Sequence, residues 1–190
     1  MDEGRDDFQI VRQVVQGDRD AYAELVRAYH VRVRSVCLSM LLNPQEADDA
    51  AQDVFVKAFT ALRQYKKNVS FAAWLHRIAS NHCLDLLRKR KRQKTDSLDG
   101  LIEAKGESES LDALHAPNDV LGEGSEQAAL AMQVLSRMPE DQRHILTLRE
   151  VDGLRYDEIS AVLRCSLDAV KARLRRARQR LQEEARHFLK

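Results

Sequence analysis

Apolar residues recur at spacings of three and four along most of this chain, the period of helices with one buried face. Phe8, Val11, Val14 and Val15 mark a first helix, with Asp6 and Asp7 available to cap it and Gly17 to end it. Asp18 caps a second, from Ala21 to about Leu42, whose inward positions are Tyr22, Leu25, Val26, Tyr29, Val33, Val36, Cys37 and Met40. Asn43-Pro44 breaks the chain, since proline is tolerated at a helix start but not within one. A third helix, about Gln45 to Tyr65, buries Ala47, Ala50, Ala51, Val54, Phe55, Ala58, Phe59, Leu62 and Tyr65. Ser70 caps a fourth, which turns Phe71, Trp74, Leu75, Ile78, Ala79, His82, Cys83 and Leu86 inward. Arg77, Ser80, Asn81 and Arg88 lie on its outer face.

The period stops at Thr95. From Asp96 to Glu126 there are nine acids against one base, Lys105, with Gly, Ser and Pro between them. That composition predicts a flexible acidic linker. The period resumes with a helix running to Met138 and another opening at Pro139-Glu140, stopped by Asp152-Gly153. Tyr156 to Leu163 is a short helix with Ile159, Val162 and Leu163 on one side. Arg164-Cys165 leaves room only for a turn, and Ser166 is a good cap for a final helix. That helix repeats Leu167, Val170, Leu174, Ala177 and Leu181 on its inner stripe. The expected fold is therefore all-α, with two small helical domains at residues 7–94 and 126–188 joined by a linker at 95–125.

Composition agrees with this and adds little: aromatics are 5% of residues, and Gly and Pro are sparse. The formal net charge is only +1, so what matters is how the charges are segregated. Cys37, Cys83 and Cys165 are far apart and odd in number, which suggests reduced, mostly buried thiols in a cytoplasmic protein. The acidic amino terminus is unlike a secretory signal, and no apolar run approaches a membrane span, so no stable membrane insertion is expected. No metal spacing, nucleophile–base pair or glycine-rich phosphate loop is present, so neither cofactor, metal nor catalytic site is expected.

Three surfaces carry candidate chemistry. Opposite the stripe of the third helix lie Glu46, Asp49, Asp53, Val56 and Thr60. Acids early in a helix suit its dipole, but an exposed Val among them also suits a docking face for a basic partner. The loop Lys66-Lys67-Asn68-Val69-Ser70 and the block from Arg88 to Lys94 are basic, with Tyr65, Phe71 and Trp74 as aromatic neighbours. Together they resemble a channel that neutralises phosphates and stacks bases. In the last helix, Lys171, Arg173, Arg175, Arg176, Arg178 and Arg180 crowd one stretch, with no acid between Asp168 and Glu183. A short helix, a tight turn and an arginine-faced helix make a helix-turn-helix suited to the major groove.

In order along the chain, ADDAAQDVFVKAF, FAAWLHRIASNHCLDLLRKRKR and MPEDQRHILTLREVDGLRYDEISAVLRCSLDAVKARLRRARQRL resemble an extracytoplasmic-function (ECF) sigma factor of bacterial RNA polymerase, over nearly the whole chain. The resemblance implies a sigma-2-like four-helix domain and a sigma-4-like helix-turn-helix domain. It implies two partners, promoter DNA and core RNA polymerase, the latter held through the β′ clamp helices and the β flap. The family often adds an anti-sigma factor. Asp49, Gln52, Asp53 and Phe55 fall on the polymerase-binding motif; the helical wheel turns Phe55 inward and leaves Val56 beside the acids. Lys66, Lys67, Asn68, Ser70, Phe71, Trp74, Arg77, Asn81, Arg88 and Arg90 fall in the region that melts and reads the minus-10 element. Ser166, Lys171, Arg173, Arg175 and Arg176 fall on the minus-35 recognition helix. Arg155 stands where the family often has a capping Ser, and Ala169 and Ala172 replace a frequent Thr and Ser. The resemblance therefore does not extend to a particular promoter sequence.

A stand-alone helix-turn-helix regulator with an amino-terminal effector or dimerisation domain would account for Leu154 to Arg180 equally well. It leaves the second basic surface and the acidic linker without a purpose.

Overall fold

The computed structural model describes residues 6–98 and 126–188. Among the described residues eight α-helices occur in order: α1 Asp7–Val15, α2 Asp20–Leu41, α3 Pro44–Ala61, α4 Phe71–Leu98, α5 Glu126–Ser136, α6 Glu140–Leu146, α7 Tyr156–Leu163 and α8 Leu167–Phe188. A 3-10 turn, Leu62–Gln64, closes α3, and a π-helical turn, Thr147–Val151, closes α6. No strand occurs among the described residues. Residues 95–98 of the expected linker are helical, because α4 runs on to Leu98, and the rest of it, 99–125, lies outside the described residues.

The local signals act as the sequence predicts. Asp6 accepts from the Phe8 amide at 3.1 Å, and one Asp18 carboxylate oxygen caps α2 through the amides of Asp20 (3.1 Å) and Ala21 (3.2 Å). Asn43 accepts from the Glu46 amide at 3.1 Å, with Pro44 in the first turn of α3. Gly17 (φ +114°) and Gly153 (φ +68°) take left-handed conformations where α1 and the π turn end.

Helices α1–α4 bury Leu25, Val33, Val36, Ala47, Ala51, Val54, Ala58, Leu75, Ala79 and the thiols of Cys37 and Cys83. At one end Phe71 meets Tyr29 (5.3 Å between ring centres), Tyr65 (5.5 Å) and Trp74 (5.5 Å), which locks the start of α4 onto α2. Helices α5–α8 gather around Ile145, Leu148, Ile159, Val170 and Leu174, all buried.

The two groups of helices do not stand apart. The α6–α7 segment packs on α2 and α4, and the buried apolar residues of both groups form one connected cluster. Arg143 of α6 is the polar centre of this contact. Its Nε donates to the Ser39 carbonyl (2.6 Å) and its Nη2 to the Met40 carbonyl (3.3 Å), both in the last turn of α2. Those carbonyls have no partner within their own helix, so a guanidinium from the far domain caps α2 and meets the negative end of its dipole. The same side chain holds the Met138 carbonyl at the start of its own domain.

Docking also corrects one expectation. Ser80 does not face solvent; it is buried against α6, where His144 Nε2 lies 2.8 Å from its hydroxyl, and it donates back to the His76 carbonyl at 2.7 Å. The spacing along α4 places Ser80 outward only with respect to the first domain. Its outer neighbour there is the second.

Candidate nucleic-acid and protein interfaces

On α3 the wheel holds. Asp49, Gln52 and Asp53 are exposed, and Val56 is 65% exposed. Phe55 is buried, and its carbonyl accepts from the Tyr22 hydroxyl at 2.6 Å. Phe59, inward by its spacing, is 40% exposed, edge-on to Tyr22 with ring centres 5.0 Å apart. It lies on the flank of the stripe, where the buried face ends. The result is an acidic face with two apolar residues, Val56 and Phe59, in its midst. His82 borders this face from α4. Its ring nitrogens lie 2.5 Å from Lys57 Nζ and 3.4 Å from the Asp53 carboxylate. Burial, then the Lys57 charge, pushes the imidazole below its usual range. His82 is thus a core histidine that positions Lys57 and Asp53.

The second surface is more constrained than the sequence implies. Lys66, Lys67, Asn68 and Ser70 are exposed on the loop before α4, and Ser70 caps the helix through the Ala73 amide at 3.2 Å. Phe71 and Trp74 are only 2% and 6% exposed, so their rings brace the loop and offer no open stacking face. Arg77 is half-buried and Asn81 exposed, on the side of α4 that continues from the loop. Several cations are already neutralised: Lys67 by Asp6 at 3.8 Å, Arg88 by Asp85 at 3.2 Å, and Arg90 by Glu46 across the α3–α4 groove. Lys66 has no ion pair among the described residues.

The helix-turn-helix is built as read. Arg164 turns the chain with φ +50°, Ser166 accepts from the Ala169 amide at 3.2 Å, and α8 runs on to Phe188. Val170, Leu174 and Ala177 are buried, which fixes the rotation of α8. Arg175 and Arg176 are exposed and make no ion pair among the described residues. Arg173 is half-buried on the flank, and Lys171 lies 3.5 Å from Asp168. Arg178 makes two bonds to Glu150, at 2.7 and 3.0 Å, and Arg180 meets Glu184 at 2.7 Å. The lower half of the arginine cluster therefore braces the domain, and the free charge concentrates on Arg175 and Arg176.

Two features of this motif depart from the sequence pattern. Leu167, expected on the inner stripe, is 47% exposed at the start of α8, one turn before Lys171. The wheel gives its angle but not where the neighbouring helices stop. The missing serine cap of α7 is replaced by Glu158, which reaches back to the Arg155 amide at 2.9 Å.

The chain matches the family models of sigma-70 region 2 over residues 25–93 and sigma-70 region 4 over residues 128–181. It is 34% identical to the RNA polymerase sigma-H factor of Pseudomonas aeruginosa, over 97% of this chain and 96% of that one. It is 30% identical to the ECF RNA polymerase sigma-E factor of Escherichia coli strain K12, over the full length of both. In structure it is similar to the sigma factor RpoE of Bartonella quintana, solved with the anti-sigma factor NepR. That likeness has a TM-score of 0.70 and 25% identity over 87% of this chain and 96% of that one. It is also similar to CnrH, solved with the cytosolic domain of CnrY, with a TM-score of 0.66 and 25% identity over 92% of this chain and 94% of that one. An acidic helix face, a basic loop and helix and an arginine-faced helix-turn-helix, in that order and under those two regions, establish that the chain belongs to the ECF sigma factors of the sigma-70 family, which direct RNA polymerase to promoters.

Proposed function

We propose a division of labour among the three surfaces. Asp49, Gln52, Asp53 and Val56, joined by Phe59, dock on a basic and partly apolar surface of core polymerase, the β′ clamp helices. Exposed apolar side chains set among carboxylates suit a partner that supplies both cations and apolar contacts. Lys66, Lys67, Asn68, Ser70, Arg77, Asn81, Arg88 and Arg90 hold the non-template strand at the minus-10 element, with Asn81 reading a base edge through its amide. Phe71 and Trp74 serve that surface by fixing the loop. Arg175 and Arg176 read bases of the minus-35 duplex, while Ser166, Lys171 and Arg173 hold its backbone. Residues 7–94, with α4 carried on to Leu98, and residues 126–188 are the two working domains, and the acidic stretch between them connects them. The protein performs no chemistry of its own and acts wherever polymerase acts. A protein inhibitor, of the kind with which its structural neighbours were solved, is a further partner.

The observation that carries this reading is the pairing of an unsatisfied acidic–apolar face on α3 with unpaired Arg175 and Arg176 on α8 of the same chain. A stand-alone DNA binder needs only the second. The test is transcription in vitro with purified core polymerase, with the transcripts sequenced. Defined start sites that require this chain and share an upstream element are expected. The absence of any chain-dependent start would refute the reading.

A further inference from the structure

The head of α1 lies against the loop that precedes α4 and grips it at three points. Lys67 places its ammonium over the Phe8 ring, 5.0 Å from the ring centre, with Asp6 3.8 Å away on another side. Phe8 is half-buried, its ring centre 6.4 Å from that of Tyr65. The Tyr65 hydroxyl donates to the Val69 carbonyl at 2.9 Å, which closes the loop on itself. Burial, then the charges of Asp7 and Asp6, pushes this phenol above its usual range, so it stays protonated as the donor. Asp7 accepts from the Tyr29 hydroxyl, and the Tyr29 ring meets Phe71 edge-on at 5.3 Å. The first turn of α1 thus holds the loop at Lys67, at Tyr65 and, through Tyr29, at the first residue of α4.

The two contacts on Lys67 differ in kind. The pair with Asp6 is exposed, so it is weak, salt-screened and readily exchanged for a phosphate. The Phe8 ring attracts the ammonium through its quadrupole and leaves the outward N–H donors free for another acceptor. A lysine on an open loop must give up its rotamer freedom when it binds a strand. Seated on Phe8, Lys67 has given up part of that freedom beforehand.

We propose that Phe8 is a positioning residue for promoter opening: its ring face seats Lys67 so that the ammonium meets a phosphate of the separated non-template strand. The proposal rests on the assignment of the Lys66–Asn81 surface to the minus-10 strand. It adds α1 to the elements that serve strand capture, though Phe8 itself touches no DNA. The acidic face of α3 and the Arg175–Arg176 pair of α8 stand on other helices. Loss of the seat should therefore act on opening, and leave polymerase binding and duplex binding as they are.

The experiment is a double-mutant cycle in holoenzyme, on a promoter fragment found by the transcript mapping and carrying 2-aminopurine in the minus-10 element. Fluorescence followed over a range of holoenzyme concentrations separates closed-complex affinity from the rate of opening. Phe8→Leu keeps an apolar side chain and removes the ring face; Phe8→Tyr keeps the ring. Phe8→Leu should slow opening about threefold, as expected for an exposed cation–ring contact, with closed-complex and core affinities unchanged. Phe8→Tyr should open like wild type. Lys67→Ala should slow opening at least as much as Phe8→Leu, and Phe8→Leu added to Lys67→Ala should slow it no further, because the ring then has nothing to seat. Losses that multiply, a Phe8→Tyr chain as slow as Phe8→Leu, or a Phe8→Leu chain that opens at the wild-type rate beside a slow Lys67→Ala would overturn the seat and leave Phe8 as packing alone. The underlying surface assignment fails differently: Lys67→Ala and Asn81→Ala would then both open at the wild-type rate, which overturns the seat with it.

Discussion

The molecule carries two basic surfaces and treats their charges in opposite ways. On α8, Arg178 and Arg180 are engaged by Glu150 and Glu184, and Arg175 and Arg176, which face outward, have no ion pair among the described residues. On the α4 surface, Lys67, Arg88 and Arg90 each meet a carboxylate, and Ser70 of the loop meets Glu158 of α7. Cations held by neighbouring carboxylates brace the fold, whereas those without a carboxylate partner keep their charge for whatever binds there.

The strongest way to sharpen this contrast is to remove polymerase from it. Asp49→Arg combined with Asp53→Arg should weaken core binding by about 2–5 kcal/mol if those carboxylates are desolvated at the contact. Duplex binding by the free chain should stay unchanged. A titration against core enzyme, beside one against minus-35 duplex, checks both; equal core affinity would remove α3 from the polymerase contact.

Arg143→Ala attacks the contact that covers α4. It leaves the buried carbonyls of Ser39, Met40 and Met138 without their charged donor. A loss of about 2–4 kcal/mol in unfolding free energy is expected, since hydrogen bonds to a charged group and orphaned acceptors both contribute. Urea unfolding followed separately in the two domains should also change from one transition to two. A single unshifted transition would show that Arg143 does not couple them.

Acidity should act on the same contact. Burial pushes His76 down to about 3 and His144 down to about 4, from the ordinary 6.5, and pushes Asp152 up to about 7 from 3.8. Each histidine therefore stabilises the fold above 6.5 and loses that contribution as pH falls towards its folded value. Asp152 has the opposite sign: its contribution is complete below 3.8 and lost as pH rises through about 7. Between about 6 and 4 the unfolded chain binds two more protons at the histidines and one fewer at Asp152, so one net proton favours unfolding. Stability should fall by about 1.4 kcal/mol for each unit of acidification there. Asp152→Asn should roughly double that slope. A flat profile in wild type, measured by urea midpoints across pH, would mean that the histidines are not buried neutral.

Helix α8 supplies the smallest and most local effects. Arg176→Ala should relax preference at one base of the upstream element, by about 1–3 kcal/mol. Arg173→Ala should weaken all sequences alike and lower the salt slope by roughly one unit. Binding of holoenzyme to single-base variants at several salt concentrations separates the two. The reverse outcome would place α8 in a different rotation.

Most of the scaffold is legible in the sequence, because its cues are local. Asp18 and Ser166 cap their helices through amides two or three residues away, and the α8 stripe fixes its rotation with Val170, Leu174 and Ala177 buried. The exposure of Asp49, Gln52, Asp53 and Val56 follows from the same arithmetic. Phe59 and Leu167 escape it for related reasons. One lies on the flank of its stripe and the other at the end of its helix, where a wheel cannot say how far the covering neighbour extends.

The sequence by itself therefore determined the helices, their caps, the order of the two regions, and the segregation of acid, base and arginine that marks a sigma factor. Tertiary structure alone decided which outward faces remain outward. Ser80 is covered by His144, Ser70 is bound to Glu158, and the α2 carbonyls are capped by Arg143, over 64 to 104 residues of chain separation. Helical period reports how a residue sits relative to its own domain's core. It carries no trace of a second domain whose grip depends on carbonyls and buried polar pairs, because those groups leave no apolar pattern to read.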